Sequence, residues 1–292
     1  MQRITYINAY GEHLVFGGEP PVLLRSVTGL GRTDAAIVKA QGAYQAGEFF
    51  SRLQLPARYI GVQFDMPPQE SREAMYRERM RMERILSAGR SVRNGELGTL
   101  IYENDAGAWV TRAAMDGTIA YGKRFLNGIT TSKLTFYCPD AYLQAREARS
   151  AQLRMGDGGF SLPMRFPVRL GSRRFKGTLT NDGTADAPIE ITIYGTGETP
   201  ALVNHTTGAR IVVSRVVANG ERLVINTDPQ KLTCILHRAD GSKEDAFGYL
   251  DPSIAVSAFV LASGDNEVEY VPSVTSSQSR VEITWHSYFE GV

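Results

Sequence analysis

Four histidines, two cysteines and a few glycine-marked loops are the residues of this 292-residue chain that could carry chemistry. A zinc site needs cysteine or histidine ligands in short, paired spacings. His13, His205, His237 and His286 are scattered, and none builds such a pattern with Cys138, Cys234 or another histidine. The run GTGETP at 195–200 has the first two glycines of a dinucleotide fingerprint. It follows a strand-like run, ends in proline and opens no helix, so it does not read as a phosphate cradle. The sequence has no G-x-S-x-G elbow and no Walker-type loop. Carboxylate pairs meet only in the fold, yet no acidic residue stands in an apolar run, where its pKa would be raised. Asn204-His205-Thr206 matches a glycosylation sequon, which matters only in a eukaryotic secretory route. The expectation is a protein without catalytic residues, bound metal or cofactor.

The bulk numbers read as those of an ordinary soluble globular protein. Of the residues, 42% are hydrophobic and 22% charged, and the formal net charge is +1. That balance gives no global attraction to nucleic acid or membrane. Two cysteines are too few for a disulfide scaffold, so both are expected reduced and buried. The N-terminal run MQRITYINAYGEHLVFGG has no continuous apolar core and does not read as a signal peptide. No apolar run reaches the roughly 18–20 residues of a membrane span.

Period and punctuation predict two domains. Residues 3–16 read as a hairpin around Tyr10-Gly11-Glu12, and 22–29 as a strand. Within 48–66, two strands split near Pro56, the second with Ile60, Val62, Phe64 and Met66 alternating against Tyr59, Gly61, Gln63 and Asp65. Pro67-Pro68 lead into a helix near 70–88, with Gly89 as its stop. Met75, Met82, Ile85 and Leu86 share one face of it, and Arg77, Arg81 and Arg84 the opposite face. That arginine face is either a solvated surface or a charged contact in an assembly. Three more strands follow within 95–140. The run at 141–159, charged and then glycine-rich with GDGG at 156–159, is the expected domain boundary. The second half is short strands only, the pattern of a β-sandwich. The domains expected are 1–150 and 160–292.

Two segments together resemble the distal tail proteins of siphophages, the long-tailed bacteriophages and their prophages. The first is carried by Pro20-Pro21-Val22-Leu23-Leu24, Gly29-Leu30-Gly31, Gly47-Glu48-Phe49-Phe50, the helix near 70–88, and Cys138-Pro139-Asp140-Ala141-Tyr142. The family often has a second proline where this chain has Ala141. The second segment, 188–228, resembles the family's galectin-like domain: I-x-I-x-G, a proline, N-x-T-T-G, then N-G-E-x-L-x-I-N-T. The closing GDNEVEY and VEITWHSYF also fit.

The resemblance implies a mainly β protein. Its first half would be an α+β ring-forming domain, barrel- or sandwich-like with one long helix. Its second half would be a galectin-like β-sandwich, with the strand at 280–289 able to return to the first. It implies a virion structural protein, a baseplate hub at the tail tip, assembled in the bacterial cytoplasm. A homohexameric ring would join the major tail tube protein to a tail-associated fibre or tip protein. The sandwich would hold receptor-binding or other baseplate proteins. DNA, and in some relatives the tape-measure protein, would pass the channel without specific binding. Gly29, Leu30, Gly31, Gly47, Phe49 and Phe50, with Arg77, Arg81 and Arg84, are the candidate subunit interface. The alternative is a carbohydrate-binding module contacting the host wall. Against it, no H-x-N-x-R run accompanies Trp285 and His286.

Overall fold

The structure is a computed structural model that describes residues 2–124, 129–154, 175–195, 199–271 and 280–292. The expected linker turn at 156–159 and most of the glycine run at 195–200 lie outside the described residues. The chain is mainly β and divides into two units. The first holds Met1–Arg146 and Tyr288–Val292, and the second Glu147–Ser287.

The first unit contains β1 (Arg3–Ile7), β2 (His13–Phe16), β3 (Leu23–Thr28), β4 (Ala36–Ala40), β5 (Phe49–Gln54) and β6 (Arg58–Met66). Then come α1 (Arg72–Leu86), α2 (Ala88–Ser91), β7 (Val92–Arg93), β8 (Glu96–Asn104), β9 (Gly107–Arg124), β10 (Thr130–Cys138) and β11 (Leu143–Ala145). The main sheet runs β2-β1-β8-β9-β10-β6-β3. A single parallel bridge, Gly17 to Leu23, links its two ends.

Alternation sets the core. On β6, Ile60, Val62, Phe64 and Met66 are buried, and they pack with Ile4, Tyr6, Leu14, Phe16, Leu134 and Phe136. The helix α1 adds Met82, Ile85 and Leu86, while Met75 is only half buried. Its start is set by Ser71, whose hydroxyl accepts from the Ala74 backbone N–H at 3.1 Å. Its end comes earlier than Gly89. Ser87 turns to extended backbone and ties both its N–H and its hydroxyl to the Arg84 carbonyl. Gly89 lies inside the short α2 that follows.

The second unit begins with β12 (Arg149–Arg154), β13 (Phe175–Asn181), β14 (Ala187–Tyr194), β15 (Ala201–Asn204) and β16 (Arg210–Val212). It continues with β17 (Arg222–Asn226), β18 (Thr233–His237), β19 (Lys243–Asp245), β20 (Val260–Leu261), β21 (Gly264–Val271) and β22 (Arg280–Trp285). One sheet runs β12-β22-β14-β17-β18-β19 with β20 on β14, the other β13-β21-β15-β16. The two share one core, with Ile191, Ile193, Leu223, Leu236 and Ile283 from the first and Leu179, Leu202, Ile211 and Val268 from the second. β12 pairs with β22 over six residues, so 147–154 belong to this unit. The chain then returns: β23 (Tyr288–Phe289) pairs with β11 in the first unit.

Candidate subunit interface and its anchor

Among the described residues, β4 and β5 pair only with each other. They form an arm inserted between β3 and β6, which are themselves partners in the main sheet. Every residue of β5 is exposed, and β4 holds only Val38 partly covered. The arm nevertheless carries apolar side chains: Ile37, Tyr44, Phe49, Phe50 and Leu53 are each more than half exposed. Gly47, at φ +87°, takes the left-handed turn into β5. Across the arm, Lys39 pairs with Glu48 at 2.6 Å. A two-stranded hairpin is at best marginal in water alone, and long apolar edges recruit other chains unless covered.

The root of the arm is built quite differently. Arg58, the first residue of β6, is 1% exposed. Its guanidinium donates to four backbone carbonyls: Gly29 at 2.7 Å, Gly31 at 2.6 Å, Ala141 at 2.8 Å and Glu290 at 2.6 Å. One side chain thus ties the Gly-Leu-Gly turn, the Cys-Pro-Asp-Ala-Tyr turn and the segment after β23. Burial pushes the Arg58 pKa down and the neighbouring Cys138 thiol up to about 12. Cys138 and Cys234 are both free and buried.

The turn is closed from the other side as well. The Val292 N–H donates to the Leu30 carbonyl at 3.0 Å, and both side chains pack on the first unit's core. Gly29 sits at φ +82°, and a Cβ there would overlap the Tyr59 carbonyl. Gly29, Leu30 and Gly31 are therefore held within their own chain, at the base of the arm that bears Gly47, Phe49 and Phe50.

The helix arginines form a separate group. Arg77 pairs with Glu73, Arg81 bonds both carboxylate oxygens of Glu78, and Arg84 reaches Glu12 at 3.0 Å. Glu12 also takes Arg90 at 2.8 Å. The Asn8 amide, then Arg84 and Arg90, hold the Glu12 carboxyl below its usual range. Arg77 and Arg84 remain more than half exposed. Arg81 also lines a cleft of about 580 Å³ with Arg3, His13, Glu19 and Glu103.

Arg58 is the buried anchor that sequence reading misses, and its signal is parity. It shares the buried face of β6 with Ile60, Val62, Phe64 and Met66. The N-x-T-T-G run proves to be turn chemistry. Asn204 is fully buried, and its side-chain oxygen accepts from the Thr206 and Thr207 N–H groups. Its amide donates to the Val260 carbonyl and to Asn266.

No family model and no curated protein matches this sequence. Solved structures do. The SPP1 Dit protein, described as a paradigm of the hub adsorption apparatus of phages infecting Gram-positive bacteria, matches with a TM-score of 0.67 at 13% identity. The match covers 98% of this chain and 99% of that one. A chain of the phage p2 baseplate in its activated conformation with Sr matches with a TM-score of 0.50 at 15% identity, covering 100% of both chains. Over nearly its whole length, then, this chain has the fold of the SPP1 phage Dit protein.

Proposed function

We propose that the chain is a virion structural protein, the distal tail hub of a siphophage or prophage baseplate. The observation that carries this reading is the arm, a hairpin with five exposed apolar side chains on a rigid root. Its support is the shared fold with Dit over nearly the full chain. In this reading the arm of one copy, with Gly47, Phe49 and Phe50 at its contact, lies on the next copy. Gly29, Leu30 and Gly31 fix its direction. A head-to-tail contact of this kind closes into a ring when its rotation allows, and the family's rings are usually hexamers. The arginine face of α1, with Arg77, Arg81 and Arg84, is the candidate charged lining of the assembly.

The ring joins the major tail tube protein to the tail-associated tip protein and leaves a channel for DNA. Passage without grip is consistent with a formal net charge of +1. The second unit is read as a galectin-like sandwich that holds receptor-binding or other baseplate proteins. Its role is attachment, not catalysis, at the virion tail tip after assembly in the host cytoplasm.

Light scattering with negative-stain imaging of the full chain, alone and with its tail tube protein, tests this. A ring near six times 32.1 kDa is the expected outcome. A persistent monomer in the presence of the tube protein overturns it and favours the wall-binding alternative.

A further inference from the structure

In the larger sheet of the second unit, strand register aligns one residue from each of five strands. Arg280 of β22 faces Tyr194 of β14, Tyr194 faces Arg222 of β17, Arg222 faces His237 of β18, and His237 faces Lys243 of β19. Residues directly opposed in antiparallel pairs share a face, so the five form one row across the strands. It lies on the outer face, since the adjacent Val281, Ile193, Leu223 and Leu236 are in the core. At about 4.8 Å per strand, the row spans roughly 19 Å.

Four of the five positions are basic. Like charges directly opposed destabilise a sheet, and here His237 separates Arg222 from Lys243. Many arginines elsewhere pair with carboxylates, as Arg112 does with Asp140 and Arg146 with Glu103, while Arg79 and Arg93 lie over tyrosine rings. Among the described residues, none of the four basic side chains in the row has an ion pair. Arg280 instead lies over the Tyr194 ring, 4.2 Å from its centroid. Burial first, then Arg222 and Lys243, hold the His237 imidazole below its ordinary range. The nearest carboxylates of this face, Glu282 and Asp245, stand one row further along, in register with Thr192 and Ile235, and Glu282 accepts from the Tyr194 hydroxyl at 3.3 Å.

We propose that this row binds a linear sugar- or polyol-phosphate chain laid across the strands. A backbone with recurring phosphates meets successive cations. Its hydroxyls meet Thr192, Glu282 and Asp245 in the adjoining row, which can donate to or accept from them. A single-stranded nucleic acid fits less well. It binds by stacking successive bases on aromatic rings, and the one ring in the row is already covered by Arg280. The line of carboxylates beside the row also opposes any broader polyanion. The proposal does not depend on ring formation.

The test uses the full chain, a decameric poly(glycerol phosphate), neutral dextran and an oligothymidylate decamer, with binding followed by calorimetry. Three contacts with a flexible polyanion predict a log–log salt slope near −2, or roughly twentyfold weaker binding between 50 and 200 mM salt. Arg222→Gln combined with Lys243→Gln should weaken binding at least tenfold and flatten the slope to about that of one contact. Arg52→Gln, on the arm, should change neither. If the double variant lost its native melting transition, Arg280→Gln alone would carry the same comparison. Absent binding, equal binding of dextran, oligothymidylate binding as tight as the phosphate polymer, or an unaffected folded variant would each overturn the proposal.

Discussion

β5 and β6 are three residues apart in sequence and opposite in circumstance. β6 buries Arg58, Ile60, Val62, Phe64 and Met66, whereas β5 buries nothing. Both carry large apolar side chains. The difference is what lies against them: β6 has β10 on one side and β3 on the other, while β5 has only β4. A strand's composition reports that it will be covered, without reporting by which chain. For β6 the cover is its own unit; for β5 the proposed cover is a second copy. The four bonds of Arg58 stand where the two regimes meet, so substitutions on either side should have separable effects.

The largest effect is expected at that junction. Arg58→Met removes the buried donor that four backbone carbonyls share, at a cost of about 3–5 kcal/mol. Trp109 lies in the first unit and Trp285 in the second, so single-tryptophan variants let urea unfolding assign the loss. It should appear in the first unit alone, and an unchanged Trp109 transition would show that Arg58 does not anchor the arm root. Phe64→Ala, on β6, should cost the same unit a comparable 3–5 kcal/mol or so. Gly29→Ala is next, at about 1–2 kcal/mol for left-handed backbone, with the overlap on Tyr59 adding to it. A variant as stable as the parent would show that the turn can relax.

On the arm the outcome reverses. Phe49→Ser with Phe50→Ser should shift unfolding free energy by no more than about 0.5 kcal/mol, yet abolish the assembled species in light scattering. Retained assembly would break the comparison outright. The smallest effect concerns Glu12. Its folded-state pKa is depressed, so its stabilisation is complete above the ordinary carboxylate pKa and fades as pH falls through the lowered value. Glu12→Gln should flatten that acid limb, measured as melting temperature against pH.

The same contrast explains which elements are legible in the sequence. Period two reveals β6, and a polar-to-apolar wheel reveals α1, because burial within one unit writes itself into one strand or helix. The arm is legible only in half: the run before Pro56 reads as a strand, as β5 is, but without alternation. Phe49-Phe50 are adjacent rather than alternating, and Ala36–Ala40 is short and small, so nothing in the pattern marks β4. The expected helix stop at Gly89 falls too late because a serine can end a helix by bonding backward, as Ser87 does. The Arg58 anchor joins positions 29, 31, 141 and 290, and the cation row joins five strands. Neither exists until register is fixed, although Arg58 betrays itself by standing at an apolar position of its own strand. The asparagine of N-x-T-T-G is visible as a motif, but its purpose, to satisfy a buried turn, is not.

The second unit is spliced into the first, with residues 288–292 completing what residues 1–146 begin. During synthesis this sets an order of events. The arm root lacks its Glu290 and Val292 bonds until the ribosome has passed all of Glu147–Ser287. At ordinary translation rates that interval is roughly 7–28 s. A nascent chain therefore cannot complete the arm root before its second unit has been made, and a product truncated before Glu290 is left without these bonds.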